Sequence, residues 1–133
     1  MGRWRGVMAA ALLCSASAGM AQGEGLRIIT DLRLGNCASC HALPSQAVAE
    51  SGGPGAGLGA GAAGNFGPSL AGVGSRWTAA QLQQWVTDAR ALRADTLMPP
   101  FGTTQGLNRP APDRPLLTPE QIRLVVQTLE TWR

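Results

Sequence analysis

Five consecutive residues constrain this chain more than any other stretch: Cys37-Ala38-Ser39-Cys40-His41. Two cysteines separated by two residues and followed at once by histidine form the C-x-x-C-H pattern of covalent haem attachment. Each thiol adds across a haem vinyl group to form a thioether, and His41 has the reach to bind the iron from one face. A chain carrying this pattern has to fold around a flat apolar cofactor. Zinc is the competing use of a Cys pair, but a zinc site takes about four protein ligands. Beyond these three residues the sequence holds only one other Cys or His, Cys14. A thioredoxin-like dithiol needs strand–helix–strand alternation, and none surrounds the motif.

Cys14 lies in a segment read as a secretory signal, residues 1–21. Arg3 and Arg5 supply its positive start and Gly6 to Leu13 its apolar run, which is too short to span a bilayer. Small residues permit cleavage after Ala18 or after Ala21, with Ala21 preferred. Lipidation at Cys14 is disfavoured by the bulky Leu13 before it. The sequence is therefore divided into a signal, 1–21, and one domain, 22–133, expected in the periplasm. The mature domain keeps two cysteines, both in the haem motif, so no disulfide can staple it.

Charge excludes one class of partner. All eleven basic residues are Arg, and without Arg3 and Arg5 nine face eight acids. The domain is near neutral, which gives no footing for nucleic-acid binding.

Three helices are expected and a fourth allowed, with no convincing strand, so the fold class is all-α. Glu24–Gly35 carries Ile28, Ile29 and Leu32 at helical spacing, with Gly35-Asn36 as its stop. Thr78-Ala79-Ala80-Gln81 is a capping box opening a helix to about Arg90, with Leu82, Trp85, Val86 and Ala89 on one side. Thr118-Pro119-Glu120-Gln121 repeats the device with proline at the first helical position. Its helix buries Ile122, Val125, Val126, Leu129 and Trp132. Between Ser51 and Gly64 seven of fourteen residues are Gly, a composition read as a flexible, tolerated loop.

Two further stretches bear on the iron. A ligating histidine generally donates its second ring nitrogen to a carbonyl. The turn at Gly67-Pro68-Ser69-Leu70 is read as presenting that carbonyl from Pro68, with an ordinary turn as the alternative. If the haem has a second side-chain ligand of a usual electron-transfer type, Met98, in Leu97-Met98-Pro99-Pro100-Phe101, is that ligand by elimination, with core filler as the alternative. Met1, Met8 and Met20 fall within the signal, His41 is the sole histidine, and lysine is absent. Arg76 is read either as the partner of a haem propionate or as a solvated surface side chain.

Taken together, the haem motif, Gly67-Pro68-Ser69-Leu70-Ala71-Gly72-Val73-Gly74-Ser75-Arg76, the Met98-Pro99 pair and the C-terminal helix resemble the class I c-type cytochromes. The runs Gly35–His41, Val86–Phe101 and Leu117–Ile122 narrow the resemblance to the SoxX family, the monohaem subunits of SoxAX sulfur-oxidation complexes. The resemblance implies one covalent haem c, a three- to four-helix cytochrome fold, and a heterodimer with a SoxA-like cytochrome. In such a complex SoxA joins thiosulfate to a cysteine of the SoxYZ carrier, an L-cysteine S-thiosulfotransferase activity, while SoxX passes electrons to a downstream cytochrome or oxidase. On this view the chain is not catalytic alone. Gly102 to Pro115, with Arg109 and Arg114, matches least and is either a partner contact or an ordinary solvated loop. The alternatives are a free-standing monohaem shuttle and a haem enzyme with an open coordination site. His and Met on both axial positions argue against the last.

Overall fold

A computed structural model describes residues 7–52, 64–107 and 113–133, with side chains from Gly19 onward. Most of the glycine-rich loop and Arg109 lie outside the described residues. Among the described residues the elements are all helical: α1 Val7–Thr30, α2 Ser45–Glu50, α3 Val73–Arg76, α4 Ala79–Asp88 and α5 Pro119–Thr131. Short 3₁₀ turns occupy Cys37–Ser39 and Ala89–Ala91. None of these helices is long and apolar enough to cross a membrane.

The frame is α1 packed against α5, with α4 laid on α5. Its core joins Leu26, Ile28 and Ile29 of α1, Leu82 and Val86 of α4, and Ile122, Val125, Val126 and Leu129 of α5, with Trp132 beyond the last turn. The α1–α5 contact requires glycine at position 25. A Cβ there would collide with the Thr128 hydroxyl and the Leu124 carbonyl. The Thr128 hydroxyl donates to Leu124 O at 3.1 Å and lies 3.3 Å from Gln22 O across the helix pair. These contacts involve residue 22 and beyond, so they belong to the expected mature domain.

Both capping boxes form. Thr78 accepts from Gln81 N and Thr118 from Gln121 N, and each glutamine side chain reaches back to the cap residue's N–H. They fix the starts of α4 and α5 by satisfying N–H groups that have no partner within the helix.

The first helix departs from the sequence expectation at both ends. It begins well before Glu24 and stops at Thr30, five residues short of Gly35. The stop is Asp31, whose carboxylate accepts the Arg33 N–H at 2.8 Å. A side chain that captures a nearby N–H competes with the helical ladder. Leu34 N and Asn36 N then donate to Asp31 O, and Gly35 N to Ile28 O at 3.0 Å. Leu32 falls in this turn and is 70% exposed, so it does not continue the buried stripe. The short helices α2 and α3 carry too few turns to show a period in sequence.

Candidate functional site

The haem motif begins where that turn releases the chain. Asn36 sits in the left-handed region at φ 47° and its side chain accepts from the Ser39 hydroxyl. Asparagine tolerates this conformation better than most residues, and it turns the backbone into the Cys37–Ser39 3₁₀ turn. Cys40 N and His41 N both donate to Cys37 O, at 3.1 and 2.9 Å. The two cysteines and the histidine are thus set on one tight turn of backbone.

A second segment lies along this turn. Gly64 N donates to Ala38 O at 3.1 Å, Gly67 N to Cys40 O at 2.7 Å, and Leu70 N to Ala42 O at 2.9 Å. This pairing brings Pro68, 27 residues away in sequence, to His41: the ring Nδ1 lies 2.7 Å from Pro68 O. A carbonyl only accepts, so Nδ1 carries the proton and Nε2 is left with its lone pair. That is the nitrogen a metal can take, and the bond behind it fixes the ring and raises its basicity. Gly67 makes the approach feasible, because a Cβ there would fall within 2.6 Å of Nδ1 and 2.9 Å of Nε2. Glycine's role as the floor beneath the imidazole was not read from the sequence.

Cys37 is half-buried against the core and Cys40 is exposed. Burial pushes the Cys37 thiol up to about 11; the neighbouring Cys40 adds to the rise and a backbone hydrogen bond opposes it. A redox dithiol needs a lowered thiol pKa, so the direction is opposite to that of an oxidoreductase pair. Among the described residues no group of three or more Cys, His, Asp and Glu side chains gathers as a metal site.

Met98 is half-buried and packs against the same core cluster as Cys37, Leu34, Leu43 and Leu70. Its N–H donates to Thr96 Oγ1 at 3.2 Å. The residues after it are pinned: Phe101 N donates to Val86 O at 3.4 Å, Gly102 N to Thr87 O at 2.9 Å, and Leu117 N to Phe101 O at 2.9 Å. Pro100 and Phe101 are buried while Leu97 stays 78% exposed. The thioether is thus held at the rim of the core.

Arg76, read in sequence as a propionate partner or a solvated side chain, donates here to two backbone oxygens. Its Nη1 donates to Ala71 O at 2.7 Å and its Nη2 to Ser69 O at 2.9 Å. The guanidinium ties down the turn that follows Pro68.

These features suit a haem. His41 offers an imidazole nitrogen beside the two cysteines, and Met98 offers a thioether among partly buried apolar side chains that include Cys37, Leu34, Leu43 and Leu70. Elsewhere on α4, Trp85 stacks edge-on against Trp77 with ring centroids 5.8 Å apart. Its indole Nε1 is buried without a hydrogen-bond partner among the described residues. Such a group is costly while it stays unsatisfied. The groove of about 490 Å³ between α1 and α2, lined by Gln22, Leu26, Arg27 and Glu50 among others, includes none of the residues of the haem motif.

Comparison with known proteins agrees with this geometry. The family model for cytochrome c matches residues 24–131. A crystal structure described as SoxXA from P. pantotrophus superposes with a TM-score of 0.66 at 35% identity, over 82% of this chain and 79% of that one. No curated protein sequence matches the chain.

Proposed function

The chain belongs to the cytochrome c family, and on that premise we propose that it is the monohaem SoxX-type subunit of a periplasmic SoxXA-like complex, carrying electrons away from a SoxA-like partner during thiosulfate oxidation. The observation that carries the reading is the His41 ring held by the Pro68 carbonyl at 2.7 Å on a C-x-x-C-H turn, in a chain 35% identical to a SoxXA component.

A c-type haem bound here supplies a one-electron ferric–ferrous couple. Cys37 and Cys40 would hold it through thioethers, which keeps the cofactor attached without a disulfide or a large core. His41 would bind the iron through Nε2, with Pro68 holding the ring's orientation and raising its basicity. Met98 would supply the second iron ligand, and a thioether ligand would favour the reduced state and raise the potential. Arg76 serves the same end by fixing the turn that carries the Pro68 carbonyl. With His41 and Met98 as the iron's protein ligands and Cys37 and Cys40 taken up in thioethers, the chain's residues would suit electron passage rather than sulfur chemistry.

The test is co-expression with a SoxA-like cytochrome in a host that attaches c-type haem. One heteromer should form and support thiosulfate-dependent cytochrome reduction when the SoxYZ carrier is added. Separate elution at micromolar concentration, with thiosulfate oxidation intact after gene deletion, would replace this reading by a free-standing shuttle.

A further inference from the structure

The Met98 segment is held from one side by the bonds of Phe101 and Gly102 to the end of α4. A second closure lies in the side chains. Arg90 pairs with Asp88 through two hydrogen bonds, Nε to Oδ1 at 2.8 Å and Nη2 to Oδ2 at 2.9 Å. The same guanidinium crosses to the far end of the loop, with Nη2 donating to Gln105 O at 2.7 Å and Nη1 to Gly106 O at 3.2 Å. The Arg90 N–H also donates to Asp88 Oδ1 at 3.1 Å. Asp88 and Arg90 are only about a quarter exposed, at 25% and 28%. Residues 88–90 and 105–106 are thereby tied together, and the chain between them is a closed loop with Met98 inside it. The other ion pair on this loop, Arg93 with Asp95, is 67% and 77% exposed and links near neighbours only.

We propose that Arg90, oriented by Asp88, is a positioning residue that keeps Met98 on the iron, and so governs how readily the sixth coordination position opens to an outside ligand. The proposal rests on Met98 being the axial ligand. The physical reason is that a segment such as this opens locally, at a cost set by the contacts that must break. Met98 cannot leave far without moving the loop, and moving the loop strains the two hydrogen bonds by which the guanidinium reaches Gln105 O and Gly106 O, while the two to Asp88 hold it in that orientation. The planar fork is suited to this role: it meets a carboxylate with two parallel bonds while its outer N–H groups reach carbonyls. A lysine in its place keeps the charge and loses most of that geometry.

The experiment follows imidazole binding to the ferric holoprotein by stopped flow, at imidazole concentrations high enough that loop opening limits the rate. Arg90→Lys and Arg90→Gln should raise that limiting rate roughly fivefold to tenfold, the scale of losing one or two hydrogen bonds from the closed state. Asp88→Asn should give a smaller rise in the same direction. Arg93→Gln, which removes a charge from the same loop, should stay within about twofold of wild type. Without imidazole, the far-red sulfur-to-iron band should persist in all four variants. Rates within twofold of wild type for both Arg90 variants, with the band intact, overturn the role of Arg90 and leave Met98 as the ligand. A band missing in wild type, or surviving in Met98→Ala, overturns the ligand assignment itself and the proposal with it. If Arg90→Gln fails to fold, Arg90→Lys and Asp88→Asn decide on the same criterion.

Discussion

Gly67→Ala is the sharpest test of how the histidine is held. The added methyl would lie 2.6 Å from His41 Nδ1 and closer still to Cε1, whereas ordinary contact begins near 3.4 Å, so the ring or the Gly64–Leu70 segment has to withdraw by about 1 Å. The Nδ1–Pro68 bond starts at 2.7 Å; lengthened by that amount it ceases to be a hydrogen bond. Two effects follow. Overpacking and the lost bond should together destabilise the holoprotein by about 1–3 kcal/mol, read as a drop of several degrees in melting temperature. The imidazole also loses the partner that raises its basicity, and a less basic ligand stabilises ferric iron less. If about half of a 1 kcal/mol hydrogen bond is differential between the two oxidation states, the potential rises by roughly 20 mV. Spectroelectrochemical titration and thermal melting on the same sample check both. An unchanged melting temperature together with a potential within a few millivolts of wild type would mean that Gly67 does not sit under the ring, and the reasoning fails.

Three further outcomes are expected. Haem should stay on the protein band in denaturing electrophoresis with haem staining, while Cys40→Ala leaves at most a single-thioether species. Leu129→Ala, which empties a buried position on α5, should cost about 2–5 kcal/mol in a denaturant titration. Acid should weaken the Asp88–Arg90 link in a definite direction. Hydrogen bonds from the Arg90 side chain hold the Asp88 carboxyl below its ordinary 3.8, against the opposing pull of desolvation. The pair's contribution is therefore present above pH about 4 and is lost as pH falls through the lower folded-state value. The stability gap between wild type and Asp88→Asn should close as pH falls through the lowered folded-state value, in acid titrations followed by circular dichroism.

The sequence alone determined whatever depends on local spacing. Cys37, Cys40 and His41 are contiguous, so covalent haem attachment is legible without any fold. The capping boxes at Thr78 and Thr118 are four-residue patterns, and the stripes on α4 and α5 recur with the helical period, so both helices start where expected and bury most of the residues expected. For Met98 composition offers a candidate ligand, since elimination needs only a count. What tertiary structure decided is whatever depends on two distant segments meeting. Pro68 stands 27 residues from His41, and only the pairing of 64–70 along 38–42 brings its carbonyl to the ring. Gly67 looks like any turn glycine until the imidazole is above it. Arg76 was open between two readings because a guanidinium can meet a carboxylate, a carbonyl or water, and only packing selects the Ser69 and Ala71 carbonyls. The end of α1 was misplaced because a helical apolar pattern can persist past the point where a side chain, here that of Asp31, captures the N–H that would continue the ladder. Arg90 had no sequence signature at all, since its acceptors at Gln105 and Gly106 are backbone oxygens, which every residue carries and no pattern of side chains reveals.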